Sequence, residues 1–334
     1  MISPAFVRLS GLSFLSTLLF APLPHDHGDD GDDDGGGHHS TKLFTAEDST
    51  HGNLEGVGSD SHSDSFFIGA TGDGTIYRGT LDHSTLEVFV PGSKGASAVG
   101  MKAAHGRLYV AGGVTGTLTV LDTRSGATLA KFDTGPDGFV NDLVVTEHGD
   151  VFLTDSFRPV LWHVSAEEID DGAGAPEAIP VAPEIPYTAD AFNLNGIVSL
   201  HDDRELVVVN TADGNLYRIE LGGGRGDDDD DHRDDDDHGD GGERRITRIV
   251  VEPLLGGDGL LVDGGHLLVV QGGLNALAFV HLHDHERRGE VEELRTDPSL
   301  RGPSTVARLH DRYLIVNADF ATSATPFTVS GLGR

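Results

Sequence analysis

Cysteine is missing altogether from the 334 residues, tryptophan occurs once and methionine twice. Without a thiol the chain can hold no disulfide scaffold, thiolate zinc site or iron–sulfur centre, and no cysteine nucleophile. Cations are scarce: 23 Lys and Arg stand against 55 Asp and Glu, for a formal net charge of −32. A nucleic-acid backbone is held by clustered Lys and Arg, so nucleic acid is not an expected partner. Long apolar runs are lacking too. The one that approaches membrane length, Leu9 to Ala21 behind the single charge of Arg8, falls short of the ~20 residues that cross a bilayer. No stable membrane span is expected. No stretch keeps a 3.6-residue apolar period, so helices should be few. No phosphate loop or Gly-x-Gly-x-x-Gly stands between a strand and a helix, and there is no Gly-x-Ser-x-Gly elbow. Nucleotide binding and serine hydrolysis are disfavoured accordingly.

Glycine is what the chain has in abundance, 46 of 334 residues or about 14%, roughly twice ordinary usage. The length allows one large domain or two small ones. A short apolar core after one positive charge is the pattern of a secretory signal, although Phe20-Ala21-Pro22 makes a poor cleavage box. Residues 1–24 are read as that signal, which implies a secreted or periplasmic protein. Two low-complexity tracts follow. His25 to His39 holds six Asp, four His and five Gly, and Arg225 to Arg245 holds ten Asp, one Glu and four Arg. Together they carry −13 of the −32. Self-repelling segments with nothing apolar to bury stay disordered. Segment 25–40 and an insertion at 222–245 are therefore expected to be disordered. Such tracts serve as solvated spacers or collect divalent cations loosely.

Between and after the tracts one β-rich unit recurs. Its central runs are Phe66 to Ile68, Leu108 to Val110, Val151 to Leu153, Leu206 to Val209, Leu267 to Val270 and Tyr313 to Val316. Each is followed by a turn and another β run, most clearly Asp73-Gly74 before Thr75 to Arg78 and Asp213-Gly214 before Asn215 to Arg218. Asp-Gly between β runs signals a hairpin, because the turn needs positive φ and glycine supplies it. Six such units at intervals of roughly 40–60 residues match a β-propeller of four-stranded blades. The expected fold is an all-β, six-bladed β-propeller over residues 41–334. Leu43-Phe44-Thr45 is placed to pair with the last blade and close the ring.

The repeat allows equivalent positions to be compared within one chain. The first strand of each blade opens on Leu54-Glu55-Gly56, Ala98-Val99-Gly100, Val140-Asn141-Asp142, Leu194-Asn195-Gly196, Gly257-Asp258-Gly259 and Ser304-Thr305-Val306. First strands line the channel of a propeller, so Glu55, Asn141, Asn195 and Asp258 would form a ring at one mouth. Two carboxylates and two amide carbonyls are hard oxygen ligands suited to Ca²⁺, or to Mg²⁺ with more retained water, and unsuited to Zn²⁺ or Cu²⁺. The alternative is turn chemistry, since Asn, Asp and Gly also favour chain reversals; Glu has no such preference.

Glu55-Gly56, Asn141-Asp142, Asn195-Gly196 and Asp258-Gly259, each opening a blade, resemble the senescence-marker-protein/gluconolactonase family, also called regucalcin-like, of the calcium-dependent lactonases and phosphotriesterases. The resemblance covers about residues 41–334 without the acidic insertion. It implies a divalent cation, usually calcium, at the channel mouth, with Glu55, Asn195 and Asp258 as ligands. Asn141 would be a fourth ligand or a substrate contact. The implied activity is hydrolysis of a lactone or related ester. The chain departs from the family at Phe139, where sugar-lactone members carry Arg, at Leu143 in place of Gly and at Val57 in place of Pro. These changes favour a substrate more apolar than a sugar, or none.

In that setting Asp258 is the candidate general base or nucleophile, and Asp142 is a secondary candidate unless alternation turns it into the blade to bond a turn. Val99, Met101 and Thr305 would line the rest of a partly apolar, substrate-binding mouth. A ring without His or Cys disfavours redox chemistry. Two functions stay open: a monomeric calcium-dependent hydrolase of a small molecule, and a non-catalytic calcium-stabilised propeller that binds a ligand or protein. His281, His283 and His285 alternate along one run, as a second metal site or as an exposed hairpin. Trp162 and His163 read as packing residues.

Overall fold

Runs rich in Val, Ile, Leu, Phe and Tyr dictate the architecture, because β-branched and aromatic side chains fit a pleated surface. The computed structural model describes residues 40–201, 203–222, 244–283 and 285–334. The expected signal 1–24, nearly all of the segment 25–40 and most of the insertion 222–245 lie outside the described residues. Strand β1 (Lys42–Ala46) precedes a first antiparallel meander, β2 (Leu54–Asp60), β3 (Ser65–Ala70), β4 (Ile76–Thr80) and β5 (Thr85–Val90). The second is β6 (Met101–Ala104), β7 (Arg107–Ala111), β8 (Thr117–Asp122) and β9 (Thr128–Asp133). The third is β10 (Val140–Val145), β11 (Val151–Asp155), β12 (Val160–Val164) and, after the short helix α1 (Ala166–Asp171), β13 (Glu177–Pro180). The fourth is β14 (Leu194–Leu200), β15 (Glu205–Asn210), β16 (Asn215–Glu220) and β17 (Arg245–Ile249). The fifth is β18 (Gly257–Asp263), β19 (His266–Gln271), β20 (Ala276–His283) and β21 (Arg288–Thr296). The last comprises β22 (Pro303–Leu309), β23 (Arg312–Asn317) and β24 (Thr328–Gly333).

That last meander lacks a fourth strand of its own, and β1 supplies it. Phe44 lies opposite Val329 in the antiparallel β1–β24 pair, as expected for Leu43-Phe44-Thr45. The same strand also pairs in parallel with β5, Thr45 beside Thr85, so the first and last meanders fuse into one eight-stranded sheet. The two ends of the described chain are thereby fastened together. Strands β2, β6, β10, β14, β18 and β22 contact one another in sequence, and β22 returns to β2.

Burial follows strand position. Second strands β3, β11, β15, β19 and β23 are buried along nearly their whole length, which is why they read as continuous apolar runs and not as alternation. The outermost strands β9 and β21 are largely exposed. Apolar clusters lie between successive sheets, for example Tyr109, Leu118 and Phe132 of the second against Val140, Leu143 and Leu153 of the third. Burying each such side chain contributes about 1.5–3 kcal/mol.

Polar clasps supplement these layers. Buried Asp263, at the end of β18, accepts hydrogen bonds from Tyr313 Oη (2.8 Å) and Arg334 Nε (2.7 Å) and pairs with Arg308. Burial alone would push its carboxyl up, but the bonds from Tyr313 and Arg308 outweigh burial and hold it below the usual range. A depressed carboxyl stabilises the fold fully above its unfolded value of about 3.9 and loses that contribution as acid titrates it in the native state. Asp263→Asn should therefore lower stability at pH 7 by about 1–3 kcal/mol, measured by urea unfolding. The gap between variant and native chain should narrow as the pH falls below about 4.

Candidate metal centre

A shared irregularity positions the site. In β2, β10, β14, β18 and β22 the register shifts immediately after the first residue, between Leu54 and Val57, Val140 and Leu143, Leu194 and Ile197, Gly257 and Leu260, and Pro303 and Val306. A bulge breaks the two-residue alternation and re-aims the side chains it carries. The bulged pairs are Glu55-Gly56, Asn141-Asp142, Asn195-Gly196, Asp258-Gly259 and Ser304-Thr305. Every oxygen-bearing residue singled out from the sequence therefore sits at the same structural feature.

The glycines beside them are there because neighbouring backbone leaves no room. A Cβ on Gly56 would lie 1.9 Å from Val99 O, one on Gly196 2.3 Å from Asp258 O, and one on Gly259 2.7 Å from Thr305 Cα. Hydrogen bonds stitch the bulges together. Gly100 N donates to Asn141 O (2.8 Å), Thr154 Oγ1 to Asn195 O (2.7 Å), and Ser304 Oγ and Thr305 Oγ1 to Glu55 O (2.9 and 2.6 Å). Asn141 Nδ2 donates to Ser156 Oγ (2.9 Å), which leaves its carbonyl oxygen as the end available to a ligand.

Carboxylates crowd the centre. Glu55, Asn141, Asp142 and Asn195 are 7%, 4%, 1% and 5% exposed, and Asp258 is the most open of the set. Burial pushes the Glu55 carboxyl well above the usual range, and Asp258 and Asp142 add to the rise. Asp258 is raised by burial and then by Asp142, with the Asn195 amide acting the other way. Burial raises Asp142 too, partly offset by Lys102, whose Nζ stands 3.6 Å from Oδ1. Both Asp142 carboxylate oxygens, Asn195 Oδ1 and Asp258 Oδ1 are buried without a well-formed hydrogen bond, although Lys102 and the Leu143 and Ile197 N–H groups lower the Asp142 carboxyl, and the Asn195 amide and Gly259 N–H lower that of Asp258. Unpaired buried carboxylates cost several kcal/mol each, and one lysine among three leaves the cluster two charges short. An oxygen-liganded divalent cation would meet that deficit, and the donor types suit one, but Glu55, Asp142 and Asp258 do not bring their ligating atoms within 4.8 Å of one another.

Asp142 is thus a member of the carboxylate cluster. It stands where the equivalent position in β2, β14 and β18 is glycine, and its Oδ1 would be 2.6 Å from a Cβ on Gly100. Sequence reasoning underrated it because simple alternation sends residue 142 away from residue 141, and the bulge removes that alternation. Lys102 went unremarked for want of any motif. The structure places the three expected lining residues as follows. Met101 is fully buried among Phe67, Ile76, Leu108 and Val110: β6 pairs regularly from Met101 onward, so no bulge turns it to the mouth. Val99 is also buried, its methyl near Phe139 across Gly113. Thr305 is buried and uses its hydroxyl on the Glu55 carbonyl, a positioning contact and not a free donor.

The loops at the end where the bulges lie mix ion pairs such as Arg158–Asp155 and Arg301–Asp319 with apolar side chains. Phe139, Phe157 and Phe192 pack with ring centroids 5.1–5.5 Å apart, and Phe157 and Phe192 are 44% and 40% exposed. Exposed Val114, Leu255, Leu274 and Phe320 lie in the loops that enter first strands or join second to third strands, at the end where the bulges are.

No family model matches the chain, and no curated protein matches it. Solved structures do. A luciferin-regenerating enzyme aligns with TM-score 0.60 and 12% identity over 88% of this chain and 96% of that one. The calcium-binding protein regucalcin of Agrobacterium tumefaciens str. C58 aligns with TM-score 0.57 and 17% identity over 86% and 94%. The WD40 β-propeller domain of Doa1 aligns with TM-score 0.53 and 10% identity over 84% and 79%. At these identities the likeness is one of fold, an all-β chain with propeller neighbours.

The close approach at the ring has a direct consequence. Gly196→Ala forces a methyl against the Asp258 carbonyl and should destabilise the chain by about 1–3 kcal/mol, seen as a lower thermal midpoint.

Proposed function

We propose that the protein is a secreted or periplasmic, monomeric, calcium-dependent hydrolase of an apolar lactone or related ester. In this reading each meander is one blade of a six-bladed β-propeller, and the cation sits at the mouth on Glu55, Asn195 and Asp258, with Asn141 beside them. The observation that carries it is the buried cluster of Glu55, Asp142 and Asp258, whose carboxyls are all raised and which faces Lys102 as its one cation, beside the amides of Asn141 and Asn195 on the same bulges. The fold likeness to a calcium-binding regucalcin and the sequence resemblance to gluconolactonases support it.

When bound, the cation would polarise a carbonyl or phosphoryl oxygen as a Lewis acid. Asp258, the most open carboxylate of the set, takes the proton of the attacking water on a carboxylate oxygen, a role that contributes typically ~10²–10⁴-fold. Asp142 and Lys102 beneath it set the local charge. Asn141, its Nδ2 tied to Ser156, orients the substrate through its carbonyl oxygen. Phe139, Phe157 and Phe192 hold the apolar part of the substrate; an arginine in place of Phe139 would instead suit a hydroxyl-rich one. The deep burial of Glu55, Asn141 and Asn195 favours a second reading, a calcium-stabilised propeller that binds a ligand without turning it over.

Metal content and hydrolysis measured on one preparation decide between them. The hydrolase should hold about one tightly bound Ca²⁺ per chain, lose activity on chelation, regain it with Ca²⁺, and fall by roughly 10²-fold or more in Asp258→Asn. Tight calcium without turnover of any lactone or phosphotriester selects the binding module, and full activity in Asp258→Asn removes the assigned base. A second outcome concerns the rim. Native chain should prefer a lactone bearing an alkyl substituent over the bare ring, and Phe157→Ser/Phe192→Ser should erode that kcat/KM preference by about tenfold.

A further inference from the structure

Residues at the far end of the fifth meander make up a nitrogen-containing cluster unlike the oxygen ring. Strand β18 starts at the mouth near Asp258 and ends at Asp263; the Gly264-Gly265 turn then leads into His266, the first residue of β19. At about 3.3 Å per residue, the length of β18 separates the cluster from the mouth by roughly 15–20 Å. His266 lies directly across from His281 of β20, and the register shift between β20 and β21 places Glu292 at the bulge. His266 Nε2 is 2.8 Å from Glu292 Oε2. The imidazoles of His266 and His281 have centroids 5.8 Å apart, and His283 lies 4.3 Å beyond His281. Ligating atoms of His266, His281 and Glu292 all fall within 4.8 Å of one another.

The histidine run Leu282 interrupts is thereby reinterpreted. His281 and His283 share a strand face, whereas His285 has left the strand, with φ of 55° in the following turn. The partner that completes the set is His266, distant in sequence. A similar trio, His201, Glu205 and Glu286, is already committed, because Glu205 is held by Arg218. Glu292 forms no ion pair with Lys or Arg among the described residues; its partner is His266.

We propose that His266, His281 and Glu292 bind a first-row divalent transition cation such as Zn²⁺, with His283 adjacent as a further ligand. Two imidazoles and one carboxylate suit such ions and not Ca²⁺. The three ligands come from three hydrogen-bonded strands, whose register holds them in place. Binding ties β19, β20 and β21 together on their exposed side. The site is independent of the mouth and of any reaction there.

Zn²⁺ titration of the full chain by calorimetry, in saturating Ca²⁺ to fill oxygen-only sites, tests the assignment. Native chain should show one equivalent tighter than the weak background expected of the Asp/His-rich tracts, and Zn²⁺ should raise its thermal midpoint. His281→Gln should remove that equivalent and the thermal shift. Glu292→Gln, a change at an exposed side chain that leaves the fold intact, should weaken it at least as much as the ~10–100-fold lost when an outer partner of a metal ligand is removed. Co²⁺ should give visible absorption bands in native chain and lose them in His266→Gln. Equal Zn²⁺ affinity and stoichiometry in native chain and Glu292→Gln, or no equivalent above background in native chain, overturns the proposal.

Discussion

The centre of the fold is governed by how closely six first strands approach one another. A Cβ at Gly56, Gly196 or Gly259 would collide with the next strand's backbone, so the ring closes only where glycine or a bulge removes the obstruction. The bulges that permit closure also break side-chain alternation and turn the residue before each glycine inward. Crowding and ligand placement therefore have one geometric cause. The carboxylates that result are buried, raise one another's proton affinity and outnumber Lys102, an arrangement that is costly unless a cation or protons compensate. That cost is the physical basis for assigning the site to a cation and not to turn chemistry alone. Turn chemistry alone gives no reason to gather three buried carboxylates that raise one another's proton affinity.

Much of the fold was legible because each unit carries redundant marks. Asp73-Gly74 and Asp213-Gly214 punctuate hairpins, and runs such as Leu206 to Val209 are apolar on both faces because sheets cover them on both sides. Even the closing strand could be placed, since Leu43-Phe44-Thr45 is a β run left without a sheet. Its parallel pairing to β5 had no sequence signal, because parallel contacts between distant segments leave no local pattern. The oxygen ring was visible only through comparison of equivalent positions. A lone Asn-Gly or Asp-Gly would have been read as a turn, and it is Glu55 that breaks the ambiguity.

What stayed hidden depends on strand irregularity and on long-range pairing. Asp142 was read by alternation, and the bulge at Val140–Leu143 invalidates that rule. Met101 was placed at the mouth because it follows Val99-Gly100 at the opening of its blade, but β6 pairs regularly from its first residue and its side chain lies in the core. Thr305 was set in register with Glu55, but the bulge between Pro303 and Val306 makes Ser304 the equivalent residue; the carbonyl that Thr305 bonds belongs to Glu55, 250 residues away in sequence. His266 and His281 likewise became neighbours only once β19 and β20 were registered.

The two clusters on the β18–β21 sheet divide by donor chemistry in a way that follows from their positions. Near the bulges the first strands approach closely, and the side chains carried there are Glu, Asp and Asn, with Lys102 beside them. At the far end the strands diverge and face solvent, so His266, His281 and His283 have room to stand side by side. The fold thus presents hard oxygen donors where it is narrow and softer nitrogen donors where it is open. A cation that prefers one environment has little reason to compete for the other. If both sites are filled, the inner ion acts on the convergence of all six first strands, while the outer one acts on three strands of a single sheet. The consequence is a difference in kind: loss of the inner ion should be felt around the whole ring, and loss of the outer ion should be confined to β19, β20 and β21.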